Sequence, residues 1–85
     1  MDVAIGTRIY YTGDLANQSS WGTLSEIKRG RFGEQVCVLL DTGRACWVPP
    51  AMIGNVYHGT CNPRFVTEAA YNAWRDERLA AYKIV

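Results

Sequence analysis

Apolar positions in the first half of the chain are spaced as in short β-strands. Residues 36–40 are all apolar, which predicts a strand that is covered on both faces. The Asp-Thr-Gly-Arg segment 41–44 follows, and its glycine accepts the positive φ of a tight turn. Residues 34–48 are therefore predicted to form a central hairpin, with alternating segments at 6–12 and 21–27 as further strands.

The segment after the hairpin contains the signals that end its last strand. Pro49 and Pro50 should stop the strand, because proline donates no hydrogen bond to a ladder. Residues 51–53 are predicted to form a single helical turn, and residues 56–58 a short closing strand. The chain would then contain five strands before its last third.

Residues 67–82 have the pattern of an amphipathic helix. Thr67 suits the N-cap position, and Glu68 complements the positive end of the helix dipole. One broad face of the helix contains Ala70, Tyr71, Trp74, Ala81 and Tyr82. We expect this face to pack on the sheet, chiefly through Tyr71 and Trp74.

The order of these elements resembles an SH3-like barrel. The local resemblance lies in residues 43–53, where Trp47-Val48-Pro49 precedes a helical turn. Residues 6–27 resemble the KOW and Tudor-like branches, and residues 9–17 are similar to small uncharacterised proteins of phages and other mobile elements. The resemblance covers roughly residues 5–57. It implies one domain, 1–85, that is mainly β: a five-stranded SH3-like barrel with a C-terminal α-helix packed on it.

The resemblance also implies a candidate ligand groove. Peptide-binding members of this architecture grip their ligands with an aromatic groove beside an acidic loop. The matching positions are Tyr10 or Tyr11, together with Trp21, Trp47 and Pro50. The first loop, residues 14–20, supplies one acidic residue, Asp14, so this sequence departs from the family pattern for polyproline ligands.

Composition places limits on a nucleic-acid ligand. Nine Lys and Arg residues against eight Asp and Glu residues give a net charge near zero, whereas phosphate-binding domains are usually strongly basic. A local cluster remains an alternative site. It contains Lys28, Arg29 and Arg31, with Phe32 to stack on a base and Arg44 across the sheet.

Few residues could support catalysis or hold a metal ion. His58 is the single histidine, and the three cysteines Cys37, Cys46 and Cys61 lack the paired Cys-x-x-Cys turns that preorganise zinc. We therefore expect no metal, no cofactor and no enzyme activity. An odd number of cysteines without a disulfide-framework spacing is typical of a reducing cytoplasm. No apolar run is long enough to span a membrane.

The sequence thus favours a small, non-catalytic binding module. Its expected partner is a protein or peptide, which would bind the first loop and the neighbouring aromatic residues. Nucleic-acid binding through the basic turn at residues 28–31 is the alternative, and an enzyme comes third. We expect a monomer or a weak homodimer, with Leu79 as the helix residue that could support self-association.

Overall fold

Within the residues that the structure describes, six strands form one curled, mixed sheet that makes a half-barrel, and one helix follows them. The computed structural model describes residues 4–14 and 16–83. The elements are β1 (Arg8–Tyr11), β2 (Ser20–Gly30), β3 (Gly33–Leu40), β4 (Ala45–Val48), a 3-10 turn (Pro50–Met52), β5 (Ile53–Gly54), β6 (Phe65–Thr67) and α1 (Glu68–Lys83). Their order across the sheet is β4-β3-β2-β1-β6-β5, and only the β5–β6 pair is parallel.

The expected mainly β fold with a C-terminal helix is confirmed, but the expected number of five strands is wrong. Residues 56–58 form no strand. Instead, the chain returns to the sheet later, at β6, which pairs with β1 so that Ile9 lies opposite Thr67. Burial explains this choice, because Phe65 packs in the core on one face of β6 while Val66 is fully buried on the other.

The inner face of the curled sheet holds the main core. Side chains on alternate positions of each strand point to this face. They are Ile9, Tyr11, Leu24, Val36, Val38, Leu40, Ile53 and Phe65. Burying each large apolar side chain contributes about 1.5–3 kcal/mol relative to leaving it exposed, so this cluster dominates the stability of the sheet.

Helix α1 packs on the outer face of the sheet, over β1 and β6. The Thr67 hydroxyl accepts a hydrogen bond from the Ala70 amide at 3.2 Å, which confirms Thr67 as the N-cap. The first two turns of the helix cover an aromatic cluster, which we define as Tyr10, Trp21, Tyr57, Tyr71 and Trp74. Its neighbouring ring centres lie between 4.7 and 5.9 Å apart.

The second half of α1 does not pack on the sheet. All residues from 75 to 82 are exposed, and Tyr82 is 73% exposed. The expectation that Ala81 and Tyr82 belong to the packed face is therefore wrong, because the strands under the helix, β1 and β6, have only four and three residues against sixteen in α1. Among the described residues, no helix is long and apolar enough to cross a membrane.

Candidate functional site

A groove runs along the edge of β4, where the curled sheet does not close on itself. We call it the seam groove, and its volume is about 360 Å³. Five consecutive residues, 44–48, form one wall. The opposite wall and the floor are formed by Tyr11, Asp14, Met52, Arg64 and Phe65. This groove is large enough for a small-molecule or peptide side-chain site.

Asp14 shapes the first loop where it borders the groove. One carboxylate oxygen accepts the backbone amides of Ala16 at 2.8 Å and Asn17 at 2.7 Å. The other oxygen accepts the Tyr11 hydroxyl at 3.0 Å. These bonds, with the Ala16 amide contributing most, lower the pKa of Asp14 to about 2. Asp14 therefore remains ionised and serves as an anchor of the loop.

Tyr11 connects the core to this loop. Its ring is 3% exposed and packs 5.2 Å from the ring centre of Phe65. Burial is the main cause that raises the pKa of the Tyr11 phenol, and the hydrogen bond to Asp14 adds to it. The phenol is therefore neutral at physiological pH and donates a hydrogen bond to the Asp14 carboxylate.

Two arginines give the groove its positive rim. The Arg64 guanidinium lies 3.2 Å from the Asp14 carboxylate, and the Arg64 carbonyl accepts the Thr12 amide at 2.8 Å. Arg44 lies on the opposite wall, close enough that its charge lowers the pKa of the Tyr11 phenol, as the charge of Arg64 also does. None of the ion pairs between described residues involves Arg44. The rim therefore presents two guanidinium groups with one neighbouring carboxylate.

A second hollow lies on the other side of the Asp14–Arg64 pair. It has a volume of about 440 Å³ and is lined by the first loop together with Cys61 and Arg64. Because Asp14 and Arg64 line both hollows, their ion pair forms the ridge between them. Ligands on either side would contact the same pair of charges.

The structure does not bring the six predicted ligand residues together in one groove. Tyr11, Asp14 and Trp47 line the seam groove. Tyr10 and Trp21 lie on the outer face, where their rings are 5.2 Å apart beneath α1. Tyr10 and Tyr11 are separated because neighbouring residues of a strand point to opposite faces.

Trp47 and Pro50 occupy special positions beside the groove. Trp47 alternates with Cys46 and Val48, which pack against the inner core, so its ring lies on the outer face. There the Lys28 ammonium lies 5.1 Å from the ring centre. Pro50 begins the 3-10 turn and is not among the residues that line the groove.

The predicted basic cluster is divided as well. Lys28, Arg29, Arg31 and Phe32 lie on the β2–β3 hairpin, whose outer half is exposed, and Phe32 at its tip is 98% exposed. Arg44 lies in the turn at the other end of β3, roughly 23 Å from the hairpin tip at the usual rise of ~3.3 Å per residue. The arginine therefore belongs to the seam groove.

The three cysteines have three different environments. All are free thiols: Cys37 is buried, Cys46 is half-buried in the groove wall, and Cys61 is exposed. Among the described residues, no three His, Cys, Asp or Glu side chains come together as a metal site.

Sequence reasoning missed the opposite wall of the groove. Arg64, Met52 and Phe65 were not among the predicted site residues, although all three line it. Arg64 meets Asp14 across 50 positions of the chain, so no local pattern connects them. A usable signal existed in the apolar Phe65-Val66 pair directly after Arg64, which marks a strand and places the arginine at its start.

The fold and the groove define a small, mainly β protein with an open, positively rimmed groove at one sheet edge. No protein-family model, curated protein or solved structure matches the chain.

Proposed function

We propose that this protein is a non-catalytic binding module that takes a protein or peptide segment in the seam groove. The observation that carries this proposal is the groove itself. It combines an apolar floor from Met52 and Phe65 with the exposed guanidinium of Arg64. Such a mixture of apolar surface and a few placed polar groups is typical of recognition sites.

Asp14 supports this role because its carboxylate is held in place before any ligand arrives. It accepts hydrogen bonds from the amides of Ala16 and Asn17 and from the Tyr11 hydroxyl. A side chain that is already held loses less conformational entropy on binding than a mobile one. Asp14 can therefore serve as a fixed point in the wall of the groove.

We further propose that the half-barrel is an SH3-like arrangement. The support is the chain path: a meander of β1 to β4, then the 3-10 turn, then a return that pairs with β1. The fold departs from the expected barrel because two short strands, β5 and β6, make this return. In this arrangement the seam groove lies beside the first loop, which is where the sequence predicts the ligand.

A selection experiment tests the proposed function. A random peptide library displayed on phage is selected on the immobilised full chain, and the enriched peptides are synthesised and titrated while backbone amide chemical shifts are recorded. We expect the shifts to concentrate at Met52, Arg64 and Phe65. No enrichment, or shifts confined to other surfaces, would refute the proposal.

One pair of substitutions provides a matched control. Met52 and Val56 are both exposed apolar residues, but only Met52 lines the groove. Met52→Asp should weaken peptide binding by about tenfold or more, since it places a carboxylate on the apolar floor. Val56→Asp should leave the affinity unchanged.

Nucleic-acid binding by the β2–β3 hairpin is the second candidate, and the fully exposed Phe32 favours it. The Arg31 guanidinium lies 6.0 Å from the Phe32 ring centre, so a cation and an aromatic ring share the tip. However, the neighbouring cations are partly occupied within the protein: Arg29 pairs with Glu34 at 3.4 Å, and Lys28 lies over Trp47. Because these cations already have partners within the protein, nucleic-acid binding by the hairpin is the second candidate function.

Binding to a single-stranded DNA oligonucleotide at increasing salt concentrations tests the second candidate. Replacing Lys28, Arg29 and Arg31 by alanine should abolish binding and its salt dependence, because these contacts release counterions. Arg75→Ala on the exposed part of α1 is the control for loss of one positive charge. Binding that survives the triple substitution would exclude the hairpin.

A further inference from the structure

The edge of β4 offers unpaired backbone groups to the seam groove. The Leu40 amide donates to the Arg44 carbonyl at 2.8 Å, which fixes the phase of the β3–β4 ladder. In an antiparallel ladder, hydrogen-bonded pairs alternate with pairs that are not hydrogen-bonded. Cys46 therefore belongs to a hydrogen-bonded pair of the β3–β4 ladder. Ala45 and Trp47 belong to pairs that are not hydrogen-bonded, so their N–H and C=O groups point away from β3. No other strand pairs with this edge among the described residues.

The side chains of β4 alternate between the two faces of the sheet. Cys46 and Val48 point to the inner face and contact the core. A chain placed beside β4 would likewise send every second side chain toward the apolar floor around Met52. The free backbone groups and the floor thus favour an extended ligand with apolar residues at alternate positions.

The charged residues at the rim of the seam groove indicate the charge of its ligand. Arg44 stands at the start of β4, and Arg64 stands on the facing wall. The Asp14 carboxylate already accepts hydrogen bonds on both oxygens, so it neutralises the charge of Arg64 only in part. It does not neutralise the charge of Arg44. Guanidinium groups pair well with carboxylates, often through two parallel hydrogen bonds.

We propose that the occupant of the seam groove is an acidic, extended segment of a partner protein that adds to β4 as a further strand. This inference rests on the proposed function, because it names the class and the conformation of the ligand for the same groove. Strand addition gives affinity through main-chain hydrogen bonds and specificity through alternate side chains. Here the outward groups of Ala45 and Trp47 provide the main-chain bonds, and Arg44 and Arg64 select acidic side chains.

The decisive experiment uses the selected peptides with methyl groups on their backbone nitrogens. In a bound strand, alternate amides face β4, so methylation of that set should weaken binding by about tenfold or more through lost hydrogen bonds. Methylation of the other alternate set is the matched control and should have little effect. Hydrogen exchange of the Ala45 and Trp47 amides should slow by about tenfold at saturation, because both become hydrogen-bonded.

Charge substitutions test the second part of the proposal. Arg44→Ala and Arg64→Ala should each weaken binding by about threefold to tenfold, and Arg64→Lys should restore part of the loss. Arg31→Ala removes the same charge at the distant hairpin tip and should leave binding unchanged.

The results of these experiments distinguish a failure of strand addition from a failure of the proposed binding function. Peptides that shift Met52 and Phe65 but tolerate methylation of either set would overturn strand addition and leave the binding module in place. Enrichment of basic peptides would overturn the assignment of ligand charge. A library that yields no ligand for the groove would refute the proposed function itself.

Discussion

Replacing Gly59 by alanine should destabilise the protein by pushing against the aromatic cluster. Gly59 has a φ of +80°, a conformation that costs an alanine about 1–2 kcal/mol. A Cβ atom at this position would also lie 2.9 Å from two atoms of the Trp74 ring. Crowding of this kind typically costs about 1–3 kcal/mol. We therefore expect a total loss of about 2–5 kcal/mol in the free energy of unfolding.

Gly43 provides the matched control for the backbone part of this loss. Its φ of +98° is also positive, but a Cβ atom there would meet no other atom within 4 Å. Gly43→Ala should therefore cost only the backbone amount, about 1–2 kcal/mol. Thermal unfolding followed by circular dichroism would measure the difference, since 1 kcal/mol shifts the Tm of a domain of this size by about 4–8 °C.

A double-mutant cycle decides whether the Trp74 ring causes the excess. In a Trp74→Ala background the extra cost of Gly59→Ala should disappear, because the alanine then has room. The reasoning would be refuted if Gly59→Ala and Gly43→Ala cost the same, or if the excess persisted without the indole ring. Either result would mean that the loop does not pack against Trp74 in solution.

Substitutions at four further positions test other parts of the fold. Thr67→Ala removes the N-cap bond and should cost about 1 kcal/mol, whereas Thr67→Ser should retain most of it, as measured by urea unfolding. The pKa of Asp14 is about 2 against its ordinary 3.8, so the carboxylate stabilises the fold above about pH 4 and this stability is lost as the pH falls through about 2. Asp14→Asn should flatten that part of the pH profile, and an unchanged profile would contradict the role of Asp14. Leu79→Ala and Tyr82→Ala should each change the free energy of unfolding by less than about 0.5 kcal/mol, because both side chains are exposed; a larger, concentration-dependent loss would instead indicate self-association through the helix.

Elements with a strong local pattern could be predicted from the sequence. The strand expected at 45–48 coincides with β4, and the helix expected at 67–82 differs from α1 by one residue at each end. In both cases local chemistry defines the boundary: prolines follow β4, and a threonine caps α1. Strand β6 lacks such a signal, because its three residues become a strand only by pairing with β1, more than 50 positions earlier.

The candidate site was harder to predict because it joins distant parts of the chain. The first loop and Trp47 were recognised, but Arg64 was not, since its contact with Asp14 depends on β6. The two neighbouring tyrosines are more instructive. Tyr10 and Tyr11 are consecutive in β1, so strand alternation alone requires that they point to opposite faces. That rule allows at most one of the two rings to line the groove.

The open seam follows from how the sheet covers its two faces. Helix α1 covers the outer face over β1 and β6, and the curl of the sheet encloses the inner core, but neither covers the edge of β4. Proteins keep exposed edges short or charged, because a long, flat, apolar edge promotes aggregation. Strand β4 meets both conditions, with four residues bounded by Arg44 and Pro49. The same two features would define the ligand: the prolines limit how many residues can pair with the edge, and the arginine selects their charge.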